Sequence, residues 1–351
     1  MPDPAVHAAK SRSLYPADAF ARLDEGDDAD FCAIDRLEPH LDARARRTVE
    51  RIVGTLIVEP APVILDLMAS FDSHLPATLQ PARVVGLGLN RRELDANPAL
   101  TERVIHDLNR EPTLPFPDAT FDAVLNTVSV DYLTRPFDVF AEIGRVLKPG
   151  GLCLVTFSNR FFEPKVIKLW RDFSEMERQL LVEDYFNATT ALGPHRIYVS
   201  RGQPRPADDR YAGLGLPSDP ITALYAEKVG VPTGRPARPR IDPEPDPCPP
   251  RAVVEVRKRA VKQTMECPYC RSKLQRWDIS QTPFTEWDME YVMVCWNNDC
   301  PYLISGWDEM SRQGNHGFTY RLVYNPLRDR CMPAPVPSLQ ALRETKVTPR
   351  G

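Results

Sequence analysis

The feature that most constrains the fold is a series of short apolar runs separated by polar turns. The runs are PVILDLM, ARVVGLGL, RVIHDL, FDAVLNTVSV and GLCLVTFS, between positions 62 and 158. Such near-continuous runs are typical of strands covered on both faces of a sheet. Before the last run, positions 136–151 show a helical pattern with Pro136 at its start and Gly150 and Gly151 as its stop. Alternating strand and helix predicts a parallel α/β sheet.

Two further helices and a leader are predicted beside these runs. A helix begins after an N-cap at Asp42, with its apolar face formed by Ala45, Val49, Ile52, Val53 and Leu56. A longer helix is predicted from Pro164, with an apolar stripe of Val166, Leu169, Trp170, Phe173, Met176 and Leu180. Residues 1–30 are polar and acidic toward their end, which indicates a mobile or loosely docked leader.

The composition changes at 201–250, where 12 of the 36 prolines lie, which favours a linker or surface excursion. Strands are predicted on both sides of it, HRIYVSR at 195–201 and AVVEVRKR at 252–259. Paired antiparallel, they would complete the sheet and make the proline-rich stretch an insertion. The predicted divisions are 1–60 for a polar leader and helix, 61–200 for the α/β core, 201–262 for the proline-rich insertion or linker with a last strand, 263–331 for a cysteine-containing ribbon, and 332–351 for a tail.

Composition excludes several classes of protein. The 351 residues are 42% hydrophobic and 26% charged, enough apolar surface to bury a core. A net charge of −4 gives no chain-wide attraction for nucleic acid or a membrane. No apolar run approaches the ~20 residues of a membrane span, and the first 20 residues lack the apolar region of a secretory signal. Four of the eight cysteines cluster, which favours a reducing, cytoplasmic compartment.

A candidate binding site lies where the predicted strands end. Asp66 ends the first run, Asn90 follows the second, and Asp107 with Leu108 ends the third. In an open α/β sheet, ligands bind beyond the carboxyl ends of the strands. The alternative is that these polar residues cap turns, which is common for Asp after a strand.

The chain resembles class I S-adenosylmethionine-dependent methyltransferases of the type 11 kind. The likeness runs through VILDLMASFDSHLP, VVGLGLN, HDLNREPTLPFPDATFDAVL and EIGRVLKPGGLCLVTFSN, over roughly residues 60–160. It implies a Rossmann-like, seven-stranded α/β sheet with one antiparallel strand, and S-adenosylmethionine as cofactor. The residues that the resemblance assigns to the cofactor are Asp66, Met68, Ser70, Asn90, Asp107 and Leu108.

Two departures from the family pattern bear on this site. The family's first loop carries alternating glycines, where this sequence has Met68, Ser70 and Asp72. Glycine allows close approach of a backbone to a ligand, so the approach here must take another path. The family also has an acid at the end of its second strand, for the ribose hydroxyls, where this chain has Gly88. Asn90 stands two residues further on, and its amide can both accept and donate.

Methyl transfer mainly requires that the acceptor be aligned and water excluded, because the leaving group is already activated. A base is needed only where the acceptor must lose a proton early. Asp131 and Tyr132 follow the fourth predicted strand and are the candidate catalytic residues on the acceptor side. The alternatives are that Asp131 caps or orients and that Tyr132 forms a wall of the site.

A second candidate site is formed by four cysteines. Cys267 and Cys270 form one close pair, and Cys295 and Cys300 form another, with 24 residues between the pairs. Two short-spaced pairs on two turns suit tetrahedral zinc, and four protein ligands make the site structural; four unrelated buried thiols are the alternative. The segment resembles Ogr/Delta-like zinc fingers over about 40 residues. Nucleic-acid contact by its basic stretch at 251–276 is considered but not favoured.

Two hypotheses of function follow. The first is a methyltransferase with a C-terminal β-rich zinc ribbon that serves packing or substrate recognition. Its acceptor is unidentified, with a small molecule slightly preferred to a protein side chain, and no membrane is involved. The second is a non-catalytic or cofactor-sensing protein of the same fold whose ribbon contacts nucleic acid or a transcription partner. Neither the acceptor nor the oligomeric state follows from the sequence.

Overall fold

The computed structural model describes residues 11–214, 216–244, 247–279, 289–315, 317–339 and 341–342. The chain divides into two compact units. The sheet unit comprises 1–199 and 221–244, and the cysteine unit comprises 200–220 and 245–351. In the described part of the chain, none of the helices combines the length and apolar character needed to cross a membrane.

The sheet unit contains a seven-stranded sheet, as the resemblance implies. Its strands are β1 (Val63–Leu67), β2 (Arg83–Gly88), β3 (Glu102–Ile105), β4 (Phe121–Thr127), β5 (Leu147–Phe157), β6 (Arg196–Ser200) and β7 (Ile221–Glu227). Their spatial order is β3-β2-β1-β4-β5-β7-β6. Strands β1 to β5 run parallel, and β7 pairs antiparallel with β5. The predicted α/β fold class is therefore confirmed.

Helices cover the sheet. They are α1 (Asp28–Cys32), α2 (Ala43–Leu56), α3 (Arg91–Ala96), α4 (Pro136–Val146), α5 (Lys168–Asp172) and α6 (Glu175–Ala188). The α2 prediction is confirmed, since the Asp42 carboxylate accepts from the N–H groups of Arg44 and Ala45 and the five predicted apolar residues are buried. Successive side chains of β1 join different cores, Ile64 on one face and Leu65 on the other, so both faces are covered.

Two helix predictions are wrong in extent. Helix α4 ends at Val146, and β5 begins directly after it at Leu147. The glycines at 150 and 151 therefore lie inside β5. The long helix predicted from Pro164 is two helices, because Ser174 begins a new one with a capping box to Glu177. The break changes the helical phase, so Met176 is 61% exposed although the predicted stripe placed it in the core.

The predicted strand AVVEVRKR is also wrong. It lies in a helix, α7 (Arg251–Thr264), whose buried residues are Val254 and Val261, two helical turns apart. The strand that pairs with β5 is instead β7, which lies within the proline-rich stretch. Its seven residues contain no proline, so every main-chain N–H is available to the ladder. Strand β6 confirms the prediction at 195–201.

The described part of the leader is docked, which is one of the two predicted alternatives. Ala19 and Phe20 are buried in the core of the sheet unit. Main-chain N–H groups of Lys168 and Leu169 donate to the carbonyls of Ala21 and Ala19. Two apolar anchors and ion pairs such as that of Arg22 with Asp28 hold this polar segment.

The cysteine unit has a sheet of its own. Its strands are β8 (Gln275–Asp278), β9 (Tyr291–Val294), β10 (Thr319–Asn325) and β11 (Arg330–Val336), in the spatial order β11-β10-β9-β8. All three pairings are antiparallel. Helix α7 precedes this sheet, and helix α8 (Pro301–Arg312) lies between β9 and β10 in the chain. The unit is thus β-rich, as predicted.

Candidate active site and cysteine centre

The strand order places a crevice between β1 and β4. Chain connections leave β1 toward β2 and β3 on one side, and β4 and β5 lie on the other, so the order reverses here. Ligands of open α/β sheets bind at such a switch point, beyond the carboxyl ends of the strands. Leu67 of β1 is in register with Asn126 of β4, and Asp66 with Leu125. Asp66, Asn90 and Asp107 follow or end parallel strands, so all three lie toward the same edge of the sheet.

Asp66 is a buried carboxyl with one oxygen unused. Burial raises its pKa to about 6, and a hydrogen bond from the Ser73 hydroxyl acts in the opposite direction. The residue is only 4% exposed, and its Oδ2 has no hydrogen-bond partner among the described residues. An unsatisfied buried carboxylate oxygen is costly, so it indicates a ligand, ion or water at that position.

The loop after β1 keeps its conformation although it contains no glycine. Met68 takes φ +59°, a left-handed conformation that glycine usually supplies. The N–H of Ala69 donates to the carbonyl of Leu87 in β2, at 2.8 Å. The Ser70 hydroxyl donates to Glu93 at 2.6 Å. Side chains and neighbouring strands therefore shape this loop.

Asn90 has its amide engaged within the protein. Its Oδ1 accepts from the N–H groups of Arg92 and Glu93 as the N-cap of α3. Its Nδ2 donates to the carbonyl of Cys32 and to Asp35. These are capping contacts, the alternative that the sequence left open.

Asp107 and Leu108 also serve structure. Asp107 Oδ1 accepts from the main-chain N–H groups of Asn109 and Arg110, at 2.9 and 3.3 Å. Leu108 is 3% exposed and belongs to the core. A cofactor role for Asn90, Asp107 and Leu108 stays a prediction.

Three polar residues at the ends of β4 and β5 were given no role from the sequence. Asn126 Oδ1, Ser129 Oγ and Thr156 Oγ1 are buried without a partner among the described residues. Between them Val128 has φ +46°, which strains a β-branched residue, and its N–H donates to the Thr156 carbonyl. Polar residues at the end of an apolar run were the available signal, because such side chains face the crevice edge.

Asp131 and Tyr132 lie in the short turn after β4. Asp131 is 2% exposed, and burial raises its pKa to about 7, while Arg178 acts to lower it. Its Oδ2 has no partner among the described residues. The Tyr132 hydroxyl accepts from the N–H of Phe162 at 2.8 Å, and burial raises the pKa of the tyrosine well above its usual range.

The N-terminal segment (residues 19–36) is tied to the loops at this edge through Asp28. The Asp28 carboxylate accepts from Arg22 at 2.7 Å and from Asn109 Nδ2 at 2.8 Å. Lys165, 3% exposed, lies 3.2 Å from it. Asn109 also donates to the carbonyl of Tyr132. One carboxylate thus joins this segment to the loops that follow β3 and β5 and, through Asn109, to the turn after β4.

The four cysteine sulfurs converge in the cysteine unit. All four Sγ atoms lie within 4.8 Å of one another. Cys267 and Cys300 are 3.8 Å apart at sulfur, and Cys270 and Cys295 are 3.5 Å apart. Four zinc bonds of about 2.3 Å arranged as a tetrahedron require sulfur separations of this size. Strands β8 and β9, which lie between the two pairs in the chain, pair antiparallel.

One family model matches part of the sheet unit. Residues 70–155 match the model described as "Methyltransferase domain". Over these residues, within its Rossmann-like sheet, the chain is similar to a methyltransferase domain. The match covers the crevice-forming segments from the loop after β1 to β5.

Relatives of known name align over part of this chain. It is 44% identical over 128 residues to the fatty-acid O-methyltransferase of Mycolicibacterium smegmatis, covering 34% of this chain and 44% of that protein. It is 27% identical over 147 residues to the malonyl-(acyl-carrier protein) O-methyltransferase of a Marinomonas species, covering 39% and 53%. The chain thus spans about half the length of these relatives. A SAM dependent methyltransferase structure from Archaeoglobus fulgidus aligns with TM-score 0.37 and 12% identity, over 53% of this chain and 93% of that one.

Proposed function

We propose that the protein transfers a methyl group from S-adenosylmethionine to a small-molecule acceptor. The observation that carries the proposal is the group of unsatisfied buried polar atoms at the switch point. These atoms are Asp66 Oδ2, near the carboxyl end of β1, and Asn126 Oδ1 and Ser129 Oγ, at the carboxyl end of β4. The matched methyltransferase domain supports the choice of ligand.

The residues present fit this cofactor. Its ammonium group can donate charge-assisted hydrogen bonds to a carboxylate, and its hydroxyls can donate to amide or serine oxygens. We propose that Asp66, Met68 and Ser70 hold the cofactor, as the resemblance implies, with Asn126 and Ser129 added by the structure. When bound, the cofactor supplies a methyl group on an already activated leaving group.

On the acceptor side, we propose that Asp131 and Tyr132 orient the acceptor. A carboxyl whose pKa is about 7 can hold or release a proton near neutral pH. For a hydroxyl acceptor, Asp131 would take the proton that leaves as the new oxygen–carbon bond forms. The names of the two relatives, both O-methyltransferases, support an oxygen acceptor, and the fatty acid in the first name supports a small molecule.

We further propose that Cys267, Cys270, Cys295 and Cys300 bind zinc as thiolates. Four protein ligands leave no open position, so the metal would stabilise the fold rather than act in catalysis. The Ogr/Delta likeness of the segment and a reducing, cytoplasmic location belong to the same proposal. Much of the basic stretch at 251–276 is paired, as in Lys258 with Glu255 and Arg276 with Asp278, which favours packing or substrate recognition over nucleic-acid binding.

Calorimetric titration with S-adenosylhomocysteine at pH 8 tests the cofactor site without a known acceptor. We expect wild-type protein to bind it and Asp66→Asn to bind about 10- to 100-fold more weakly, the value of one charge-assisted hydrogen bond. Asp122→Asn is the matched control, because Asp122 accepts from the Val63 N–H at the opposite, amino-terminal ends of β1 and β4. Equal affinity for the two variants would refute the proposed site.

A further inference from the structure

Glu93 is a buried carboxylate of α3 that contacts two separate parts of the chain. Its Oε2 accepts from the hydroxyl of Ser70, in the loop after β1, at 2.6 Å. Its Oε1 accepts from the main-chain N–H of Arg36, in the N-terminal segment, at 2.7 Å, and from Asn90 Nδ2 at 3.3 Å. The residue is 8% exposed, so water competes little for these bonds, and an ionised acceptor strengthens them. One carboxylate therefore fixes the loop and the segment relative to each other.

The N-terminal segment crosses the sheet edge at which the switch point lies. The N–H of Asp24 donates to the carbonyl of Pro164, in the loop after β5, at 2.8 Å. Asp28 joins the loops that follow β3 and β5, as described above. The carbonyl of Cys32 accepts from Asn90, which follows β2, at 2.9 Å. In the sheet, β5 lies on one side of the β1–β4 switch point and β2 with β3 on the other, so the segment passes from one side to the other.

We infer that Glu93 is a positioning residue, which couples the docking of the N-terminal segment to the ligand-holding loop after β1. The inference rests on the proposed cofactor site, to which Ser70 of this loop belongs. When the segment is docked, the Arg36 N–H fixes one oxygen of the carboxylate, and the other oxygen then receives the Ser70 hydroxyl. A residue outside the loop thus helps to set the position of the loop. Because coupling is reciprocal, ligand binding at the loop should in turn stabilise the docked segment.

Amide hydrogen exchange in ligand-free protein, followed by NMR, tests the coupling without any ligand. Asp28→Ala loosens the segment, and exchange of the Ala69 N–H, which donates to Leu87 in β2, reports on the loop. We expect this exchange to become about fivefold faster in Asp28→Ala. Asp30→Ala, an exposed change on the same helix, should leave it at the wild-type rate. In a Glu93→Ala background, Asp28→Ala should add nothing, because the link is already cut.

The affinity for S-adenosylhomocysteine, measured by calorimetry, gives the second readout. Asp28→Ala and Glu93→Ala should each weaken binding about tenfold, and the double variant should bind no more weakly than Glu93→Ala alone. Glu93→Gln should bind like wild type, because its amide oxygen can accept from the Arg36 N–H and its NH₂ group can donate to Ser70 Oγ. Asp95→Ala, which removes an exposed carboxylate of the same helix, is the matched control and should also bind like wild type.

Failure of the inference and failure of the proposed function give different results. An Ala69 exchange rate that is the same in wild type and Asp28→Ala overturns the coupling, and this comparison needs no change at Glu93. Equal acceleration by Asp28→Ala with and without Glu93 overturns the role of Glu93. If exchange shows the coupling but wild-type protein binds no S-adenosylhomocysteine, the coupling through Glu93 is supported and the proposed cofactor is wrong.

Discussion

The main-chain oxygen of Ala69 occupies the space that a side chain at Gly88 would need. A Cβ placed on Gly88 would overlap this oxygen. The loop after β1 leans on β2 here, since the Ala69 N–H donates to Leu87. The two departures from the family pattern are therefore one feature: the loop without glycines packs against the strand end, and the strand end must be glycine.

Gly88→Ala tests this packing. The added methyl would collide with backbone, which cannot move aside cheaply, so we expect a loss of about 2 kcal/mol or more in the free energy of unfolding. Urea unfolding measures it. Gly193→Ala is the control, because its new methyl would make only an ordinary contact with the Glu227 oxygen, at 3.4 Å. Equal stability of the two variants would contradict the explanation.

Asp131 should make stability depend on pH. Its folded pKa, about 7, is raised above the usual 3.8 by burial, so the folded state binds the proton more tightly than the unfolded state. Stability therefore falls as pH rises from about 4 to 7 and stays reduced above that. Asp131→Asn removes this effect. At pH 8 it should be more stable than wild type, by as much as about 4 kcal/mol at about 1.4 kcal/mol per pKa unit, with little gain near pH 4.

Denaturant unfolding at the two pH values measures the Asp131 effect. Asp30→Asn, at an exposed position of α1, controls for removal of a surface carboxylate. A gain for Asp131→Asn that is the same at pH 4 and pH 8 would mean that the residue does not titrate as its burial requires.

Asp28 should hold the N-terminal segment in place. Asp28→Ala leaves Arg22 and the buried Lys165 without a central partner, which we expect to cost about 3 kcal/mol locally. The Arg22 side chain, 6% exposed in the folded protein, should then become a rapid site of tryptic cleavage. Asp30→Ala, on the same short helix, serves as control and should keep the wild-type cleavage rate. Unchanged cleavage after Asp28→Ala would remove this role from Asp28.

The four-thiolate centre predicts which cysteine substitutions cause the loss of zinc. Cys270→Ser and Cys300→Ser should each lose zinc, measured by atomic emission, and unfold the cysteine unit locally. Cys331→Ser removes a thiol outside the cluster and should keep full zinc. We expect each variant to bind S-adenosylhomocysteine as wild type does, because the sheet unit has its own core. Full zinc in Cys270→Ser would refute the four-thiolate site.

Local patterns predicted the elements whose determinants lie close together in the chain. The apolar runs identified the parallel strands, because a strand buried on both faces needs apolar residues at nearly every position. Asp42 marked the start of α2, since an N-cap acts on the next two or three N–H groups. The spacing of the four cysteines predicted their convergence, because each close pair belongs to one turn.

Predictions that failed depended on partners distant in sequence. AVVEVRKR has β-branched residues, yet it forms a helix whose apolar contacts recur every seven residues. Which of the two predicted states the leader adopts also depended on distant residues, because Lys165 and Asn109 contact Asp28 from positions far along the chain. The charge of a residue does not by itself show which oppositely charged residue will lie next to it in the folded protein.

The sequence by itself determined the parallel strands β1 to β5 and the sheet edge at which polar residues follow them. Only the tertiary structure decided which of those residues find hydrogen-bond partners within the protein and which keep an oxygen without one. Asn90 and Asp107 each have Oδ1 used in capping bonds, whereas Asp66 and Asn126 keep a buried oxygen without a described partner. The physical reason is that hydrogen-bond satisfaction depends on distances across the fold, and those follow from packing rather than from any local pattern.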